Sequence, residues 1–216
     1  MASAKHRRTS EEIEDSPTEV KGRARSANQP QADNKKKRSV FYEILSYIAT
    51  IALVFFLTAA LKLYVIDIYS VPTGSMIPTI EIDDRILSEK VSPHFSPVRP
   101  KEVVTFNDPV TEGRILVKRV IAVGGQTIDL IGGYVYVDGI VVDEPYTHGK
   151  PTYPLVPLRG VDIDYPFTVP EGTIWVMGDN RTDSLDSRYF GAVSEELITG
   201  RSLVVVWPID HFGGFD

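Results

Sequence analysis

Arg114-Ile115-Leu116-Val117-Lys118-Arg119-Val120-Ile121-Ala122-Val123 is the stretch that decides the fold. It is rich in β-branched and aliphatic residues and reads as a strand. In a strand, side chains alternate between faces, so Lys118 shares its face with Leu116 and Val120. A lysine with apolar neighbours either snorkels to water or loses its charge. With a free value near 10.4, a lysine is a useless base at neutral pH. Burial lowers that value by several units and can supply a neutral amine.

Similar short runs surround this strand. Glu102–Phe106, Tyr134–Val137, Ile140–Val142, Ile174–Met177 and Ser202–Trp207 are all rich in Val, Ile or other strand-forming residues. Gly132-Gly133 and Asp138-Gly139 separate such runs by two residues, a strong hairpin signal. Only Ser194–Thr199 looks helical, and residues 147–166, with Pro151, Pro154, Pro157 and Pro166, read as loop. There is no βαβ alternation, so a parallel sheet is not expected. The fold class predicted is mainly β and antiparallel, preceded by one N-terminal transmembrane helix.

That helix is predicted from Ile44 to Leu61, 18 uncharged residues bounded by Glu43 and Lys62. At about 1.5 Å per residue it covers about 27 Å, near the thickness of a hydrocarbon core. Lys62 can snorkel and let Leu63–Ile66 extend the span. Ahead of it, residues 1–39 hold ten Lys or Arg against six Asp or Glu, a balance of +4, and few apolar residues. Such a segment reads as a disordered tail. The remainder carries a balance of −10 within a total of −6, which argues against nucleic-acid binding by the body. Lys35-Lys36-Lys37-Arg38 precedes the span, and after Lys62 no basic residue follows until Arg85. The positive-inside rule then places the N-terminus in the cytoplasm and the body outside. The division expected is a tail over 1–39, a membrane helix over 40–66 and an extracytoplasmic β-rich domain over 67–216.

Some chemistries are excluded early. There is no cysteine, so disulfides, thiol catalysis and cysteine metal sites are ruled out. His6, His94, His148 and His211 show no ligand spacing, and no Gly-x-Ser-x-Gly elbow is present. Asp179, Asp183 and Asp186 lack the EF-hand pattern, so no metal site and no cofactor are expected. Two segments remain beside the Lys118 strand. In Pro72-Thr73-Gly74-Ser75-Met76-Ile77-Pro78-Thr79, prolines fix φ on either side of a serine and Gly74 permits a sharp turn. This is either an ordinary turn or a presented nucleophile. Gly178-Asp179-Asn180-Arg181-Thr182-Asp183-Ser184-Leu185-Asp186-Ser187-Arg188 is dense in side chains that bond local backbone and pair with one another.

Taken together and in this order after one apolar span, these segments resemble the type I signal peptidase family. Thr73–Thr79 is similar to its nucleophile box, Lys118-Arg119-Val120-Ile121 to the box carrying the general base, and Gly178–Arg188 to its last box. Asp84-Arg85-Ile86-Leu87, Val135–Gly139 and Glu144-Pro145-Tyr146 add to the resemblance, which covers roughly residues 40–210. It implies a catalytic core with a smaller inserted β lobe. The implied reaction is removal of signal peptides from exported preproteins, with membrane lipid and the secretion translocon as further partners. The implied roles are Ser75 as nucleophile, Lys118 as general base, Thr73 with the Ser75 N–H as oxyanion hole, and Ser184 orienting the lysine. Asp179, Asp186 and Arg188 brace the site. A substrate strand is expected beside Ile68, Tyr69, Val71 and Pro72 on one side and Ile115, Leu116 and Val117 on the other. The expected location is the cell membrane, crossed once.

Departures from the family pattern are Asp83 before Asp84-Arg85, and Gly124 and Gln126 where proline and aspartate are usual. Two alternatives share these residues: a specialised Ser–Lys peptidase for pilin or conjugation substrates, and an inactive membrane-tethered binding domain.

Overall fold

Strand-forming runs separated by glycine turns build two antiparallel sheets, described here from a computed structural model over residues 32–215. The chain divides into two compact units, residues 1–50 and 51–216. The described part of the first unit is helical. Helix α1 runs from Ala32 to Tyr64, and within it Val40–Tyr64 has a mean hydropathy of 2.3 with none of it buried. The helix therefore begins eight residues inside the segment expected to be disordered, while residues 1–31 lie outside the described residues. The amphipathic pattern of a core helix is missing, because the apolar residues run all round the cylinder.

The second unit carries the sheets. The larger one has seven strands, β1 (Ile66–Ser70), β2 (Arg85–Glu89), β3 (Val103–Asn107), β4 (Ile115–Val123), β9 (Thr173–Met177), β10 (Val193–Ser194) and β11 (Ile198–Trp207), in the order β1-β2-β11-β3-β4-β9-β10. The smaller one is formed by β5 (Thr127–Ile131), β6 (Tyr134–Val137), β7 (Ile140–Val141) and β8 (Phe167–Thr168), ordered β7-β6-β5-β8. It is inserted between β4 and β9, as the resemblance implied. Gly132-Gly133 joins β5 to β6 and Asp138-Gly139 joins β6 to β7, and all four residues have positive φ. That is what two-residue hairpin loops of the primed types require.

The run Ser194–Thr199, expected to be helical, holds only a 3₁₀ turn at Glu195–Leu197 between two strands. Two consecutive glutamates and a leucine suggest a helix locally. Six residues are too few to sustain one against the pairing of β11 with β2 and β3.

Period-2 alternation sorts the core into clusters. On β9, Ile174 and Val176 pack with Val104, Phe106, Val120 and Phe190. Trp175 and Met177 point the other way and pack with Ile121, Ile128, Val135 and Val169, which joins the two sheets. A third cluster gathers Val71, Met76, Ile80, Ile86, Val103, Val205 and Phe215 beneath the segment that follows β1. Trp175 is fully buried, with the Phe167 ring 5.0 Å and the Tyr165 ring 6.1 Å away. Trp175→Ala is expected to lower stability by about 3–5 kcal/mol, measured by urea unfolding in detergent. A loss below about 1 kcal/mol would mean that the small sheet does not depend on this contact.

Candidate active site

Three chain segments converge at the middle of β4. Ser75 comes from a 3₁₀ turn, Gly74–Met76, entered through Thr73 in extended conformation (φ −130°, ψ 151°). Met76 is fully buried in the third cluster and anchors the turn from below. Gly74 opens this sharp turn, as expected, without a positive φ. The glycine that close approach demands is Gly178, where a Cβ would collide with the Ser75 carbonyl oxygen and with Ser184 Oγ.

Lys118 lies on β4 opposite Val104, a fully buried residue, and is itself only 2% exposed. Its Nζ lies 2.5 Å from Ser75 Oγ. Burial is the main cause of a pKa lowered to about 8; Asp186 and Asp179 act against it, and Arg188 and Arg114 act with it. A desolvated amine this close to a hydroxyl is arranged to accept its proton.

The surrounding carboxylates are taken up by guanidinium groups. Asp179 accepts from Arg119 Nε at 2.9 Å and Nη2 at 2.8 Å, and from the Thr79 hydroxyl at 2.6 Å. Asp186 accepts from Arg188 Nε and Nη2, both at 2.8 Å, and from the Gly178 N–H at 3.1 Å. It also caps the short helix α2 (Ser187–Phe190) through the Arg188 N–H. Arg181 forks onto Glu144 at 2.6 and 2.8 Å and donates to the Thr152 hydroxyl and the Gly178 carbonyl. Bidentate pairs of this kind fix orientation as well as charge. The loop that follows β9 is thereby held on one side to the nucleophile segment and on the other to the segment following β7.

Ser184 is buried against Gly178, and its Oγ has no hydrogen-bond partner among the described residues. The Thr73 hydroxyl is exposed and makes no cap bond. A groove of about 130 Å³ is lined by Ser75 and Lys118 together with Tyr69–Thr73 and Arg114–Val117. Seven expected residues, Tyr69, Val71, Pro72, Thr73, Ile115, Leu116 and Val117, line it; Ile68 does not and is 54% exposed. Arg114 was not expected there. Arg119, Asn180 and Glu144 were not expected to brace the site either, whereas Arg181 belongs to the loop whose side chains were expected to pair. For Arg119 the only sequence signal is its place directly after a buried lysine. Among the described residues, no three His, Cys, Asp or Glu gather as a metal-ligand set. His211, which shows no ligand spacing in the sequence, holds Asp84 at 2.8 Å, and that contact raises its pKa.

Comparison with known proteins adds an independent line. The family described as signal peptidase, peptidase S26, matches residues 44–207. The chain is 32% identical over 209 residues to signal peptidase I of Leptolyngbya laminosa, covering 92% of this chain and 94% of that protein. It is 35% identical to probable signal peptidase I-1 of Synechocystis sp., covering 73% and 79% respectively. A crystal structure of a signal peptidase I from Enterococcus faecalis V583 is 27% identical, with a TM-score of 0.39 over 49% of this chain and 97% of that one.

The collision found at Gly178 can be tested directly. Gly178→Ala is expected to cost about 1–3 kcal/mol, because backbone rather than a flexible side-chain end must move. Thermal unfolding is then expected to shift down by about 3–10 °C. A melting temperature equal to that of wild type would show that the two loops do not meet as described.

Proposed function

The chain belongs to the peptidase S26 family of signal peptidases, and we propose that it is a membrane-tethered serine endopeptidase that removes signal peptides from exported preproteins. The observation that carries this reading is the 2.5 Å contact between Ser75 Oγ and a buried Lys118 amine, both of which line one groove. The relatives matched over most of its length are themselves signal peptidases by name.

In this mechanism the substrate enters as an extended strand between the chain after β1 and the start of β4, adding to the exposed backbone there. Neutral Lys118 takes the Ser75 proton as Oγ attacks the scissile carbonyl carbon. The C–O bond forms, and the carbonyl electron pair moves onto oxygen. The Ser75 N–H and the Thr73 hydroxyl stabilise that oxyanion. Collapse of the intermediate breaks the C–N bond, and the Lys118 ammonium protonates the leaving amine. Lys118 then deprotonates a water that releases the acyl group from Ser75. Asp179, Asp186 and Arg188 keep the loop beside Lys118 rigid, and the buried Ser184 hydroxyl, which has no other partner among the described residues, is the group assigned to turn to the amine during these transfers. The narrow groove suits small residues ahead of the cut.

Helix α1 supplies the tether. Its 25-residue apolar part spans about 37 Å at 1.5 Å per residue, longer than a hydrocarbon core of about 30 Å. With the basic cluster at 35–38 on its N-terminal side, it crosses the cell membrane once with the N-terminus in the cytoplasm and the catalytic unit outside. Lipid and the translocating preprotein are then its immediate partners, with the secretion translocon beside it.

The deciding experiment is cleavage of a preprotein bearing an Ala-x-Ala site by full-length protein in detergent. Wild type cuts after that site, while Ser75→Ala and Lys118→Ala each lose about 10⁴-fold or more in turnover. Normal processing by either variant would remove the proposed dyad. Because the reactive form of Lys118 is the neutral one, kcat/KM rises about tenfold per pH unit below about 8 and levels off above it. A flat profile between about pH 6 and 9 would exclude Lys118 as the base.

A further inference from the structure

The nucleophile turn is gripped by a single residue. Asn180 Nδ2 donates to the Gly74 carbonyl at 2.8 Å, and the Asn180 N–H donates to the Ser75 carbonyl at 3.0 Å. The amide oxygen of Asn180 accepts from Lys150 Nζ at 2.6 Å. Lysine only donates and a peptide carbonyl only accepts, so the Asn180 amide has one orientation consistent with both partners.

The Gly74 carbonyl and the Ser75 N–H belong to one peptide group, and that group is trans. The two bonds lie in one plane and point in opposite directions. A hydrogen bond received by the carbonyl therefore aims the N–H in the opposite direction. It also draws electron density through the peptide and makes the N–H a stronger donor. A cation at the head of this chain polarises the Asn180 amide in the same sense.

We propose that Lys150 is a positioning residue of the oxyanion hole, acting through Asn180 and the Gly74–Ser75 peptide on the Ser75 N–H. The inference rests on the reading of Ser75 as the nucleophile of a peptidase. Lys150 touches neither substrate nor reacting atoms. It follows Gly149, which has positive φ, and precedes Pro151 in the loop that leaves the small lobe. That loop is held to the site independently of Lys150, through the Arg181 bonds to Glu144 and to Thr152. Removing the lysine charge is thus expected to leave the loop in place.

The test compares wild type, Lys150→Met and Lys150→Arg as full-length protein in detergent, using a peptide with an Ala-x-Ala site. Complete loss of one oxyanion donor costs about 10²–10³ in kcat. Weakening one donor is expected to lower kcat by about tenfold in Lys150→Met, with KM within about twofold and the melting temperature unchanged. Lys150→Arg restores most of the rate.

The second readout is binding of the matching peptide aldehyde against the corresponding alcohol. Ser75 Oγ adds to the aldehyde carbon, the carbonyl oxygen enters the oxyanion site and the Oγ proton passes to Lys118. The alcohol forms no such bond. Lys150→Met is expected to weaken the aldehyde by about tenfold and leave the alcohol unaffected. A kcat and an aldehyde-to-alcohol ratio equal to those of wild type overturn the role of Lys150. So does a loss of activity that tracks a lower melting temperature with that ratio unchanged. Wild type that neither cleaves the peptide nor captures the aldehyde overturns instead the reading of Ser75 on which the inference rests.

Discussion

Everything about this site depends on keeping one amine out of water without giving it a carboxylate of its own. Lys118 is buried on a strand whose neighbours are Val104, Leu116 and Val120, and the only hydrogen-bond partner of its amine among the described residues is a serine hydroxyl. An ion pair would hold the proton on the lysine and leave no neutral amine to act as a base. Two aspartates nonetheless act on it and raise its pKa, and burial still prevails. The reason is visible in the pairing. Asp179 is claimed by Arg119 and Asp186 by Arg188, each through two nitrogens. The site thus holds two buried ion pairs of its own beside an unpaired amine, and desolvation is left to set the balance.

Buried ion pairs are weak contributors to stability, because desolvation offsets much of their attraction. Here they serve geometry. Asp186 caps α2, binds Arg188 and accepts the Gly178 N–H. Asp179 ties the start of the same loop to Arg119 on β4 and to Thr79 in the nucleophile segment. Gly178 lies against Ser75 and Ser184 with no room for a side chain. The distance between Ser75 and Lys118 is therefore not set by these two side chains alone. It is set by a loop that touches both of their segments, and by Met76 and Ile80 packed beneath the turn.

Much of this was legible in the sequence, and the reasons are physical. The strands β3, β4, β6, β7 and β9 announce themselves by β-branched runs, and the two hairpins by glycine-containing pairs. Lys118 stands out because strand alternation alone gives it apolar neighbours. Other features leave weaker signals. Strands β8 and β10 are two residues long, too short for any period to be read. β11 hides its first half because Glu195, Glu196 and Leu197 favour a helical turn locally and lose to cross-strand pairing. The extension of α1 back to Ala32 is hidden because charge, rather than helix propensity, dominates residues 32–39. Asn180 and Arg181 are visible as polar loop residues, but their partners Gly74, Lys150 and Glu144 lie 106, 30 and 37 residues away in the chain. No local pattern encodes such pairings.

The inserted small sheet has a place in this scheme beyond filling space. Trp175 and Met177 on β9 face it, while Ile174 and Val176 on the same strand face the core behind Lys118. β9 is thus clamped from both sides immediately before it delivers Gly178 and Asp179 to the site. The loop leaving the small sheet returns Glu144 and Thr152 to Arg181. A displacement of the small sheet would move β9, and with it the residues that hold Ser75 against Lys118. The insertion is best understood as the outer half of the bracket that keeps the two reacting groups in contact.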